Sequence, residues 1–206
     1  MAQPNLKDDK PNTKQNLVRM AVPPALIALI SAFHPSFSTN AADGLARIES
    51  TRFWEAIHFA LLVAVLAFDA SLLGWKPFPR GKLSAIRIIG AWLNAGFYAA
   101  FIGVDGFASA VLSRTLPPNL AQEAVTSLFA SPLIGALGWV GGAGWILSAA
   151  AIIRQRQVSG LAIGPSILLI VGTVWLFASH APPFGVIAGV LIASGATWAA
   201  LEKAPS

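Results

Sequence analysis

Six long apolar runs constrain this chain more than any other feature. They extend from Leu17 to Phe33, Phe53 to Trp75, Ile88 to Leu112, Pro132 to Ile153, Val158 to Ala178 and Phe184 to Leu201. Apolar stretches of about 18 or more residues are the length of a helix that crosses a bilayer. The first run is short and carries Arg19 and the pair Pro23–Pro24, and the last is also short. Composition closes off the alternatives. Charged residues make up 11% of the chain, with 55% hydrophobic residues and a mean hydropathy of +0.66. Soluble domains carry about 25% charged residues, and disordered chains lack this apolar content. The expected fold class is therefore all-α: a polytopic integral membrane bundle of six transmembrane helices. Cysteine is absent, which excludes disulfide frameworks, thiol nucleophiles, iron–sulfur clusters and cysteine-based zinc sites.

Orientation follows from the basic residues. With the N-terminus inside, Lys7, Lys10, Lys14, Arg19, Lys76, Arg80, Lys82, Arg87, Arg154, Arg156 and Lys203 all fall on the inner side. Only Arg47, Arg52 and Arg114 fall outside. Both termini are expected to be cytoplasmic, most simply at a bacterial inner (plasma) membrane. The net charge of +5 then reflects topogenic loops that face anionic lipid. A nucleic-acid partner would need a folded basic domain, and none is visible. The organisation expected is a polar tail at 1–16 (no signal peptide), a single transmembrane domain at 17–201 and a tail at 202–206.

Two connections have helical signatures. Asn40 to Arg52 opens on a capping residue, and Asn119 to Ala130 spaces Leu120, Ala124 and Leu128 four apart. Both are expected to be short interfacial helices on the outer side. Trp54, Trp75, Trp92, Trp175 and Trp198 lie near span ends, as an aromatic belt requires, whereas Trp139 and Trp145 fall deeper, as packing residues would. The pairs Gly138/Gly142, Gly160/Gly164 and Gly185/Gly189 have the spacing that lets helices approach closely.

Ionisable groups inside a bilayer are costly and mark function or a specific pairing. They concentrate in spans two and three: Glu55, His58 and Asp69 in one, Asn94, Tyr98 and Asp105 in the other. His58 and Asp69 are eleven residues apart, as are Asn94 and Asp105, close to three helical turns in each case. Each span thus carries a polar stripe. In an antiparallel hairpin His58 falls level with Asp105, and Asp69 level with Asn94. The first pair suits proton transfer to a bound substrate, with Glu55 at the mouth and Tyr98 as a hydrogen-bond donor. Asp69 and Asn94 suit a proton relay or the pairing of two helices.

The three histidines, His34, His58 and His180, all fall near the outer face. Together with Asp105 they could supply a zinc site with an open water position, or hold iron, copper or haem. No HxxxH or HExxH spacing places two of them on one helix face. The cofactor is thus left open. Three functions are compatible with this pattern. The first is an intramembrane enzyme doing acid–base chemistry, with or without a metal, on an apolar or lipid-like small molecule in an outer-leaflet cavity between helices two and three. The second is a small proton-coupled transporter. The third is a haem- or quinone-binding or accessory subunit of a membrane complex. The bilayer itself and a second copy of the chain, or a membrane-complex partner, are the other expected partners.

Overall fold

The computed structural model describes residues 13–35, 46–48, 53–74 and 81–202. Most of the polar tail, the stretch 40–52 apart from helical residues 46–48, Trp75, the basic loop up to Arg80 and the tail beyond Glu202 lie outside the described residues. Among the described residues the chain is helical, with no strand. We number the helices α1 (Thr13–Ala32), α2 (Trp54–Gly74), α3 (Lys82–Thr115), α4 (Pro118–Ala130), α5 (Pro132–Val158), α6 (Gly164–Ala178) and α7 (Phe184–Leu201). Four of them, α2, α3, α5 and α7, are long and apolar enough to cross a membrane. The apolar part of α1, Leu17–Ala32, and α6 are shorter.

Local sequence explains several boundaries. Pro118, Pro132 and Pro165 sit in the first turns of α4, α5 and α6, where the missing N–H costs no helical bond. Helix α5 ends at a turn in which Gly160 adopts φ 68°, a conformation that side chains with a Cβ disfavour. Gly160 and Gly164 are therefore not a helix-packing pair. Gly160 shapes the turn, and a Cβ there would meet nothing. Gly185 and Gly189 do act in packing, since a Cβ on either would run into α1 or the backbone ahead of α7.

Helix α1 runs antiparallel along α7, with Ser31 beside Gly185 and Ala28 beside Gly189. Helix α7 packs on α6, α3 packs on α5, and α2 bridges α1 and α3. The backbones of α3 and α5 come close where Gly90 meets Gly144. Exposure is inverted relative to a protein that faces water. Leu29, Phe59, Val63, Ile89, Trp92 and Val190 point outwards, while His58, Asp69, Asn94, Ser148 and Arg156 are buried. That distribution suits hydrocarbon outside and paired polar groups within. Trp139 departs from the packing role read from its depth: it is 69% exposed, with one face against Phe177. Trp145 is buried as expected.

Two wider turns interrupt α3, over Asn94–Tyr98 and Val104–Ala108. Such π-turns take an extra residue, and one residue is about 100° of helix rotation. Asn94 and Asp105 therefore leave the common face that an unbroken α-helix would give them. Asn94 turns to α5, where its Nδ2 donates to the Gly141 carbonyl at 3.1 Å, and Asp105 turns to the histidines.

At the far end Arg156 pairs with Glu202 and donates from Nε to the Ala162 carbonyl at 2.7 Å. Glu202 also accepts from the Ala162 N–H at 2.9 Å, tying α7 to the α5–α6 turn. The α1–α7 contact gives a direct check on packing. Gly189→Ala is expected to destabilise the protein by about 1–3 kcal/mol, the usual cost of overpacking. Reversible unfolding in mixed micelles measures it, and an unchanged midpoint would contradict the close α1–α7 contact.

Candidate functional site

His34, His58, His180 and Asp105 converge at one end of the bundle. His34 follows α1, His58 lies one turn into α2, Asp105 sits in the second π-turn of α3, and His180 precedes α7. The three histidines each offer a ring nitrogen within 4.8 Å of the others. His58 Nε2 is 3.4 Å from His34 Nε2 and 3.4 Å from Asp105 Oδ2, and His180 Nε2 is 3.1 Å from that same oxygen. The rings meet edge to face at centroid distances of 4.8 to 5.4 Å.

The backbone sets the direction of two rings. His58 Nδ1 lies 2.9 Å from the Trp54 carbonyl, and His34 Nδ1 lies 2.7 Å from the Pro35 carbonyl. A carbonyl only accepts, so Nδ1 carries a proton in both rings and Nε2 is the nitrogen that faces the cluster. Burial, reinforced by the neighbouring His180, pushes His34 down to about 4, so its imidazole is neutral at pH 7. His180 Nε2 lies beside the Asp105 carboxylate. Three imidazoles and one carboxylate oxygen thus converge on one place.

Neighbouring residues hold the cluster in shape. Trp54 donates from Nε1 to the Asp105 carbonyl at 3.3 Å, and its ring lies 4.5 Å from that of His58. The Ser109 hydroxyl donates to the same carbonyl, while the Ser109 N–H reaches back five residues to Val104. Gly106 lets α2 approach, since a Cβ there would overlap His58 Cβ and come within 2.6 Å of its Cγ. Gly185 does the same for His180, leaving room for the buried Ser31 hydroxyl, which has no partner.

The other residues singled out in the sequence stand apart. Glu55 pairs with Arg114 at the exposed rim. Tyr98 is buried, and its hydroxyl donates to the Leu176 carbonyl of α6 at 3.3 Å, away from the histidines. Asp69 and Asn94 do not bond each other. Asp69 Oδ1 accepts from Trp145 Nε1 at 2.5 Å, and Asn94 bonds Gly141. Sequence reasoning missed the supporting roles of Trp54, Ser109, Gly106 and Gly185. Trp54 reads as a belt residue, and a glycine in an apolar span gives no sign of what it faces.

The comparisons returned no matching family, no matching curated protein and no matching solved structure. Any function therefore has to be argued from the site.

Proposed function

We propose that the chain is a membrane-embedded, metal-dependent enzyme that hydrolyses an apolar or lipid-like substrate. One observation carries the reading: imidazole nitrogens from three separate segments and one carboxylate oxygen converge at one end of the bundle. A tetrahedral zinc ion with bonds of about 2.0–2.1 Å sets its ligand atoms about 3.3–3.4 Å apart. The His34–His58 pair has that spacing, at 3.4 Å, the three histidine nitrogens lie within 4.8 Å of one another, and Asp105 Oδ2 stands 3.4 and 3.1 Å from His58 and His180. Donation from Nδ1 to a backbone carbonyl is also the usual outer partner of a zinc-bound histidine.

In this reading His34, His58 and His180 hold the ion. A zinc ion held there would supply a nucleophile, a bound water with a pKa lowered to about 7. Asp105, with Oδ2 3.4 and 3.1 Å from His58 and His180, would accept the proton of a water held there. The Trp54 and Ser109 bonds to the Asp105 carbonyl fix its position. Substrate approaches among exposed apolar side chains at the same end, including Phe33 and Phe53, with the Glu55–Arg114 pair at the rim. The reading places the site at the outer leaflet of a bacterial inner membrane. It takes α1 and α6 as further spans, giving six in all, with both termini cytoplasmic and α4 lying along the interface.

Two other readings separate cleanly. A haem held between two histidines needs space for a flat macrocycle, whereas His34, His58, His180 and Asp105 crowd together at 3.1 to 4.8 Å. A proton-coupled transporter draws support from the polar stripe that continues to Asp69, and it expects Asp69→Asn to abolish transport. The deciding experiment is elemental analysis for zinc, iron and copper in detergent-purified protein, paired with hydrolysis of a fluorogenic long-chain acyl ester in mixed micelles. About one zinc per chain is expected, with hydrolysis lost on chelation and restored by zinc. Folded protein that takes up no metal would overturn the reading and leave the four groups sharing a proton.

A further inference from the structure

At the end of the bundle opposite the histidines, a buried cation stands without a carboxylate. Arg87 lies in the second turn of α3, where its carbonyl accepts from the Ser148 hydroxyl of α5 at 2.8 Å. The residue is only 5% exposed, and its Nη1 is buried without a hydrogen bond. Among the described residues no carboxylate pairs with it. Gln155 of α5 donates to Ser84, one turn earlier on α3, at 3.1 Å. Its Oε1 is also unbonded, so it does not serve Arg87 Nη1.

The acidic residues are engaged elsewhere. Glu55 pairs with Arg114, Asp105 stands among the histidines, Asp69 accepts from Trp145 and Glu202 pairs with Arg156. Glu123 lies on α4, and Asp8, Asp9, Asp43 and Glu49 lie outside the described residues. The other charges near Arg87 add to the excess. Arg19, whose guanidinium lies against Gly74, is exposed, as are Lys82 and Arg154. A buried cation is costly unless an anion accompanies it.

Depth narrows the choice of anion. Helix α3 has 34 residues, about 51 Å of helix against about 30 Å of hydrocarbon. Its ends therefore reach the headgroup layers. Arg87, about 7.5 Å from the start of the helix, falls at the level of the lipid phosphates. Ile86 and Ile88 on either side of it are exposed, so lipid lies against the same turn.

We propose that Arg87 binds the phosphate of an anionic phospholipid at this end of the bundle. A guanidinium presents paired N–H donors that match phosphate oxygens. Basic pockets between transmembrane helices hold acidic headgroups, and Arg19, Lys82 and Arg154 favour a net negative headgroup over a zwitterionic one.

The test melts delipidated full-length protein in neutral-detergent micelles doped with phosphatidylglycerol or with phosphatidylcholine, in phosphate-free buffer. A ligand that binds only the folded state raises the midpoint with its concentration. A midpoint about 5 °C higher in saturating phosphatidylglycerol is expected for a chain of this length. Arg87→Gln should abolish that difference, and Arg154→Gln, at an exposed position, should leave it intact. Wild-type protein purified straight from membranes should retain acidic phospholipid by phosphorus analysis and chromatography, a readout that needs no variant to fold. Equal midpoints in the two lipids, a difference that survives Arg87→Gln, or wild-type protein that retains no acidic phospholipid would overturn the site. Inorganic phosphate that gives the full rise in lipid-free micelles would overturn the lipid and assign Arg87 to a soluble anion.

Discussion

His58→Ala is expected to lower zinc affinity by at least about 100-fold, since disturbing even the outer partners of a metal ligand costs 10–100-fold. His58 is the hub of the cluster, 3.4 Å from both His34 and Asp105 and in ring contact with His180. Its loss would remove one of the three proposed ligands. Competition against a chromophoric chelator measures the affinity, and His58→Gln provides a variant closer in volume. Retention of zinc with wild-type affinity in both variants would exclude His58 as a ligand. Asp105→Asn should behave differently, keeping most of the metal and losing hydrolysis, because an amide cannot take a proton from water.

The second large effect is expected at a residue with no chemistry of its own. Gly106→Ala places a methyl group against His58 Cβ and Cγ, and both atoms belong to the inner part of a buried side chain that cannot swing away. Helix α3 must then retreat from α2, carrying Asp105 with it. A displacement of about 1 Å is enough to cost 100-fold in a catalytic arrangement. Hydrolysis is therefore expected to fall by about two orders of magnitude, together with about 1–3 kcal/mol of stability from overpacking. Gly103→Ala is the control, because a Cβ there meets nothing. Equal activity in the two variants would show that the α2–α3 approach at Gly106 does not shape the site.

The sequence made the helical class and the long spans readable, because apolar length and scarce charge leave few other solutions. It also put His58 level with Asp105, and the two lie 3.4 Å apart. What it hid is the register of α3. The equal eleven-residue spacings assumed an unbroken α-helix, and the two π-turns rotate Asn94 away from Asp105 and towards Gly141. No residue pattern at Asn94–Tyr98 or Val104–Ala108 announces that change, since it arises from packing against α5 and α2. Tyr98 was misplaced for the same reason, and its hydroxyl reaches Leu176. The histidines were visible one by one, but their meeting depends on how α1 and α7 pack. Spacing along the chain cannot show that.

That α1–α7 contact bears on how the protein is made. The four converging groups come from positions 34, 58, 105 and 180 of the sequence, and His180 is brought in by the turn ahead of α7. While the chain emerges from the ribosome, His34, His58 and Asp105 enter the membrane long before their last companion. The cluster closes only when α7 folds back along α1. Closure therefore reports that insertion has reached α7, and a chain stalled or cut before it holds an open, incomplete set of donors.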